Sequence, residues 1–185
     1  DIGVAAQKPP GRGKDSRVPA GKTVSSARIH AAAQGVYERR LNGQKVGDQE
    51  LAPGWTDYNK RIQHQTYDVT AQLRSGANTI GAELANGWFT GNVAMIGGNQ
   101  YGSVTSLIAP LRISYTDGSS DVIGTDASWK TAPGPIKTAD LIDGEKYDAR
   151  RGTAIAGWDK PGFDATGWDA TIVRILDHPI SIRQA

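Results

Sequence analysis

Three stretches of this chain set aromatic rings beside carboxylate, amide or guanidinium groups. They are Trp55-Thr56-Asp57-Tyr58, Asn86-Gly87-Trp88-Phe89-Thr90-Gly91-Asn92, and Glu145-Lys146-Tyr147-Asp148-Ala149-Arg150. That mixture suits a sugar, whose apolar C–H faces are ringed by hydroxyls. A sugar site therefore pairs an aromatic platform with fixed hydrogen-bonding groups. The candidate ligand contacts are Trp55, Asp57, Tyr58, Asn86, Trp88, Glu145, Tyr147, Asp148 and Arg150. A calcium ion bridging carboxylate, amide and sugar oxygens is compatible with the same groups. The plainer assignment makes Trp55 and Trp88 core or hairpin-covering rings and pairs Arg150 with a nearby acid.

Other chemistries find less support. His30, His64 and His178 share no metal-ligand spacing, and His64 reads as a strand side chain. There is no Gly-x-Ser-x-Gly elbow and no P-loop, and Gly97-Gly98 opens no helix that would cradle phosphate. Glycoside hydrolysis needs two carboxylates set across a cleft. Asp57, Glu145 and Asp148 are candidates, but a chain with 19 acids offers such pairs by chance. With no cysteine, disulfides, thiolate metal sites and a cysteine nucleophile are excluded. A net charge of +2 argues against nucleic acid or an anionic membrane as partner, and no 18-residue apolar run spans a bilayer. Asp1 to Pro10 lacks the apolar centre of a signal peptide, and a start without Met fits a processed or excised piece.

The elements that must hold these groups read as strands. An apolar share of 38% with 23 Gly and 9 Pro fits a β-sandwich rich in loops. From Val24 the pattern has period two, with Ile29, Ala31 and Ala33 on one face until Gly35 breaks it. Val36 to Leu41 is a strand, and Asn42-Gly43 turns it into Gln44 to Val46. Leu51 to Tyr58 is a loop turning at Pro53-Gly54 and exposing Trp55, Asp57 and Tyr58, followed by a strand with Ile62, His64, Thr66 and Asp68 on one side. Thr79 to Leu84 points Ile80, Ala82 and Leu84 one way, and Ala85 to Ser103 is a long irregular loop. Leu107 to Tyr115 is a strand with Leu111, Ile113 and Tyr115 inward, and Asp117-Gly118 turns it into Asp121 to Ile123. Further short strands are expected at 129–131, 136–142 and 171–176, with Asp143 to Arg150 a polar loop. No helix of three turns is written. The expectation is an all-β, antiparallel jelly-roll β-sandwich over residues 23–185, preceded by a Pro-, Gly- and Lys-rich linker or disordered tail over 1–22.

Taken together, these motifs resemble the N-terminal β-sandwich domain of bacterial α-L-rhamnosidases of glycoside hydrolase family 78. The resemblance rests on Gly35-Val36-Tyr37-Glu38 with Leu41-Asn42-Gly43, Leu51-Ala52-Pro53-Gly54-Trp55-Thr56-Asp57-Tyr58, and Gln65-Thr66-Tyr67-Asp68-Val69-Thr70. It continues through Asn86-Gly87-Trp88-Phe89, Tyr115-Thr116-Asp117-Gly118 and Asp143 to Arg150, over roughly residues 24 to 160. In that family inverting glutamates sit in a separate (α/α)6 barrel, which this short β-rich chain does not contain. The resemblance thus implies an accessory domain beside a glycosidase catalytic domain. Related modules of carbohydrate-binding family 67 hold L-rhamnose through calcium, which would place the ligand and metal contact at Asn86, where relatives carry Asp. An aromatic-rich first strand expected before Val24 is replaced here by the tail. The implied partners are a rhamnose-containing carbohydrate and a catalytic barrel, in a periplasmic or secreted setting. The alternatives are a structural module that packs on the barrel without binding sugar, and a small enzyme in its own right.

Overall fold

The period-two pattern from Val24 becomes the long central strand of the molecule. Ala27, Ile29, Ala31 and Ala33 are buried, while Arg28 and His30 point to the opposite face. The computed structural model describes residues 4–5, 11–174 and 181–184. In chain order the strands are β1 (Val4–Ala5), β2 (Gly11–Val18), β3 (Val24–Gln34), β4 (Val36–Leu41), β5 (Gln44–Lys45), β6 (Arg61–Asp68), β7 (Gly76–Ala85) and β8 (Ser106–Ile108). They continue as β9 (Leu111–Tyr115), β10 (Ser120–Ile123), β11 (Lys130–Thr131), β12 (Ile136–Asp140), β13 (Gly144–Tyr147), β14 (Asp169–Ala170), β15 (Ile172–Val173) and β16 (Ser181–Gln184). The α-helices among the described residues are short, α1 (Gly87–Thr90) and α2 (Ala149–Ala154).

Two sheets face each other. One runs β10-β9-β3-β8-β1-β15, with β6 on the other edge of β3 and β16 beyond it. The second runs β14-β11-β2-β7-β4-β5, and β12 and β13 form a separate hairpin. Among the described residues all pairings are antiparallel except β16 with β6. The architecture is an all-β antiparallel sandwich. Ile29, Leu111 and Ile113 of the first sheet meet Leu41, Ile80 and Leu84 of the second in one core. Burying each such side chain contributes about 1.5–3 kcal/mol.

The same alternation carries a charge inward. On β4, Tyr37, Arg39 and Leu41 share the core face, and Arg39 is 2% exposed. Its guanidinium lies 3.5 Å from the centre of the Tyr67 ring and 4.7 Å from that of Tyr37, so aromatic faces offset part of its desolvation.

Several expectations are corrected. Residues 11–18 are strand β2 instead of tail: they hydrogen-bond to β7 on one side and β11 on the other. Backbone pairing overrides the unfavourable composition, because β7 would otherwise end the sheet with unpaired amides. Residues 1–3 and 6–10 of that stretch lie outside the described residues. The strand expected over 107–115 is split at Ala109-Pro110, since proline has no N–H for the ladder, and the Pro110 carbonyl instead accepts from His30 N at 3.1 Å. The loop expected over 143–150 is largely β13 followed by the start of α2. The closing strand includes β15, while residues 175 and 176 fall outside the described residues.

Candidate functional site

The loop from Leu51 to Lys60 and the loop from Asn86 to Gly102 both fold over the outer face of the β3/β6 sheet. There Tyr58, Phe89, Ile62 and Ala32 form a second apolar cluster, with Trp88, Tyr101 and Ile108 packed against it. Burial contradicts the exposure expected for Tyr58, which is only 1% exposed. Its ring meets Phe89 edge-on at 5.3 Å and Tyr101 at 5.2 Å, and burial, aided by Tyr101, pushes its phenol up to about 12. It supports the site from below and does not line it.

On top of that base the two loops bring their tryptophans together. The Trp55 and Trp88 rings are stacked, with centroids 6.2 Å apart and planes 7° from parallel. Trp55 donates from Nε1 to the Tyr101 hydroxyl at 3.3 Å and remains 52% exposed. A wide aromatic face is thus held open to solvent, bordered in sequence by Asp57 and by exposed Asn86. Asp57 is fixed by its own turn: Oδ1 accepts from Asn59 N at 3.2 Å, and the backbone carbonyl accepts from Lys60 and Arg61 at 2.9 Å. Gly87 makes the approach of Trp88 feasible. Its φ of +51° is left-handed, and a Cβ there would stand 2.5 Å from Val36 Cγ1.

The third stretch lies on the β12–β13 hairpin and α2, and its members divide. Asp148 caps α2, accepting from Arg150 N at 3.2 Å, and it also accepts from Arg150 Nε and Nη2, both at 2.9 Å. The Arg150 hydrogen bonds hold the Asp148 carboxyl below its ordinary value. These two residues satisfy each other, as the plainer assignment has it. Tyr147 is exposed on the hairpin. Glu145 instead lines a cleft of about 380 Å³ beneath the hairpin, together with Val36, Glu38, Glu50, Glu83 and Pro135.

Sequence reasoning did not single out Glu38, Glu50 or Glu83. A signal was available, because Glu38 and Glu83 occupy outward positions of strands whose register places them directly opposite. Arg40 bonds Glu38 and Asp159, and Lys45 bonds Glu38 and Glu50. Glu83 is raised by burial and then by Glu38. Tyr101 was seen only as one ring in a long loop, and its place on Trp55 comes from tertiary contact.

The hairpin is joined to the Asn86 loop through Asn92. Asp140 accepts from Asn92 N at 2.7 Å and from Asn92 Nδ2 at 3.3 Å, and Asp143 Oδ2 accepts from Nδ2 at 2.8 Å. Asp140 lies beside Asn86, since a Cβ on Gly91 would meet Asp140 Oδ2 at 2.8 Å and Asn86 Cβ at 3.4 Å. Calcium takes six to eight oxygens, carboxylates among them. Asp140 already accepts four hydrogen bonds, two from Asn92 and one each from Ile142 N and Asp143 N. Among the described residues no three His, Cys, Asp or Glu are grouped to hold a metal. The Asp140 carboxylate beside Asn86 is thus already engaged by hydrogen bonds within the protein.

His30 and His64 lie side by side on the same outer sheet face, 6.3 Å between rings, and His30 Nδ1 is 3.0 Å from Thr66 Oγ1. His178 lies outside the described residues.

Comparison with known proteins places this geometry. The family described as "Alpha-L-rhamnosidase N-terminal domain" matches residues 22–184. This chain belongs to that family. An α-L-rhamnosidase from Streptomyces avermitilis is 50% identical over 171 residues, which cover 87% of this chain and 16% of the relative. The crystal structure of Streptomyces avermitilis α-L-rhamnosidase complexed with L-rhamnose superposes with a TM-score of 0.87 at 48% identity, over 99% of this chain and 17% of that one. That of native α-L-rhamnosidase from Aspergillus terreus gives a TM-score of 0.88 at 36% identity, over 98% and 22%. The chain spans about a sixth to a fifth of the length of these relatives. The α-L-rhamnosidase N-terminal domain is therefore the unit in which the Trp55–Trp88 face must be understood.

Proposed function

We propose that this domain is a non-catalytic accessory module of an α-L-rhamnosidase that binds rhamnose-containing glycans on the Trp55–Trp88 face. One observation carries the reading: two stacked indoles from separate loops form a half-exposed platform set on a buried aromatic base. L-rhamnose, a 6-deoxy sugar, offers a methyl group and C–H faces to such a platform. Asp57 and Asn86, flanking the rings, supply acceptors and donors for its hydroxyls. Resemblance to a rhamnosidase solved with L-rhamnose supports this choice of sugar. The catalytic residues would lie in the remainder of the parent protein.

Calorimetric titration with L-rhamnose, run once with calcium and once with a chelator, tests the reading. Equal heats in both runs are expected, and Trp55→Ala should weaken binding by about tenfold or more. Heat only with calcium would move the contact to a metal held at Asn86, and no heat in either run would remove sugar binding.

A second reading has its own support. Met95 and Ile96 are 96% and 66% exposed, and Leu141 and Ile142 are 41% and 54% exposed. Asn92 ties the turns that carry them to one another through Asp140 and Asp143. Apolar side chains displayed in this way suit a docking surface for the parent's catalytic domain.

A further inference from the structure

The platform depends on one peptide segment, and that segment is gripped from three directions. The carbonyls of Ala52, Pro53 and Gly54 are consecutive, and each accepts a hydrogen bond from a different donor, on β4, on β6 and within the loop itself. Ala52 O takes Tyr37 N of β4 at 2.8 Å, Pro53 O takes Gln65 Nε2 of β6 at 3.0 Å, and Gly54 O takes the Tyr58 hydroxyl at 2.9 Å. Trp55 is the next residue.

The middle grip reaches into the sandwich core. Gln65 is 6% exposed, and its Oε1 accepts from the Tyr37 hydroxyl, which also bonds Ala31 O at 3.1 Å. Tyr37 in turn lies against the buried Arg39 guanidinium. One amide therefore links the tyrosine between the sheets to the carbonyl two residues before the exposed indole. A primary amide suits this place because it accepts at one end and donates at the other, both in a buried setting where an unmade bond is costly.

We infer that Gln65 is a positioning residue: by joining Tyr37 to the Pro53 carbonyl it sets the height and tilt of the Trp55 ring against Trp88. The inference rests on the sugar-binding reading only for its consequence on affinity. The placement of Trp55 is a separate matter and is measured separately. Gln65 itself is sealed from ligand by burial, so its effect on binding passes through Trp55.

Gln65→Met keeps the length of the side chain and removes both hydrogen bonds. The Trp55–Trp88 rings, with centroids 6.2 Å apart, are close enough that an exciton couplet is expected in the far-ultraviolet circular dichroism. Subtracting the spectrum of a matched protein carrying Trp55→Phe isolates that couplet from the Trp158–Trp168 pair, whose rings are 6.4 Å apart. The couplet should fall by at least half in Gln65→Met, while cooperative thermal unfolding is retained. Affinity for L-rhamnose should fall about tenfold, approaching that of Trp55→Ala. Should Gln65→Met fail to fold, Tyr37→Phe removes the donor to Oε1 with little change in packing and should give a smaller loss of the couplet. An undiminished couplet in the folded variant overturns the positioning role. If the wild-type domain binds no rhamnose, the sugar-binding reading fails and the couplet alone decides the role of Gln65.

Discussion

Glu83 stands directly across the β4–β7 ladder from Glu38, in a cleft that also holds Glu50 and Glu145. Arg40 and Lys45 bond Glu38, Glu50 and Asp159. Burial, and then the like charge of Glu38, raise Glu83 above the ordinary glutamate value against the opposing pull of Arg40. A raised carboxyl favours the fold when protonated. That contribution is present below the free-glutamate value and is lost as pH rises through the raised one. At pH 7 the ionised side chain is therefore a burden, and Glu83→Gln should raise Tm by about 3 °C. Scans at lower pH should show the difference closing by pH 4, below the ordinary 4.5. Gly87 is a residue of the opposite kind, fixed by space and not by charge. An alanine there meets Val36 at 2.5 Å with φ at +51°, and Gly87→Ala should cost about 2 kcal/mol in urea unfolding. Trp55 is half-exposed, so Trp55→Ala should leave Tm nearly unchanged while weakening sugar binding, and that separation distinguishes a platform from a core ring.

At the scale of elements, β2 and the β12–β13 hairpin matter most. β2 fills the place between β7 and β11, and removing it leaves the inner part of β7 unpaired. A chain that begins at Lys22 should therefore lose about 10 °C in Tm and tend to self-associate, as differential scanning calorimetry and light scattering would record. The composition of Gly11–Val18 points to a tail because glycine and charge are poor strand formers, and a single sequence does not reveal that two strands stand ready on either side. The hairpin is attached to the Asn86 loop through Asp140, whose carboxyl is held low chiefly by the Asn92 backbone amide. Asp140→Ala removes that anchor. Hydrogen exchange should then speed up over 136–147 and over 90–93, with the amides of β3 and β7 unchanged. Equal protection in both segments would mean that Asn92 is held by something else.

At the scale of the whole molecule, Trp88 and the exposed Met95 and Ile96 share the loop from Asn86 to Gly102 but are different side chains of it, so the two functional readings can be tested apart. Replacing Met95 and Ile96 by lysine should leave the Tm of this domain and its rhamnose titration unchanged, since both side chains lie in solvent. In the parent enzyme the same double substitution should lower thermal stability if those turns dock on the catalytic domain. Indifference of the parent to the change would leave that surface without a role in docking.

The amino-acid sequence by itself determined most of the framework. Alternation placed Ile29, Ile80, Leu84, Leu111 and Ile113 in the core, and Asn42-Gly43 and Asp117-Gly118 turned their hairpins where expected. It also picked out the stretches that hold Trp55 and Trp88, because rings set beside amides and carboxylates are legible in the sequence regardless of fold. These are local properties, set by side-chain period and turn geometry. What only the tertiary structure decided is which groups meet. Trp55 stacks on a ring 33 residues away, Tyr58 turns under the platform, and Asp148 and Arg150 close on each other. Glu145 joins Glu83 in a cleft, and Gln65 reaches from the core to the Pro53 carbonyl. Those pairings depend on how loops from distant strands are laid over one sheet face, and no period in the sequence encodes them.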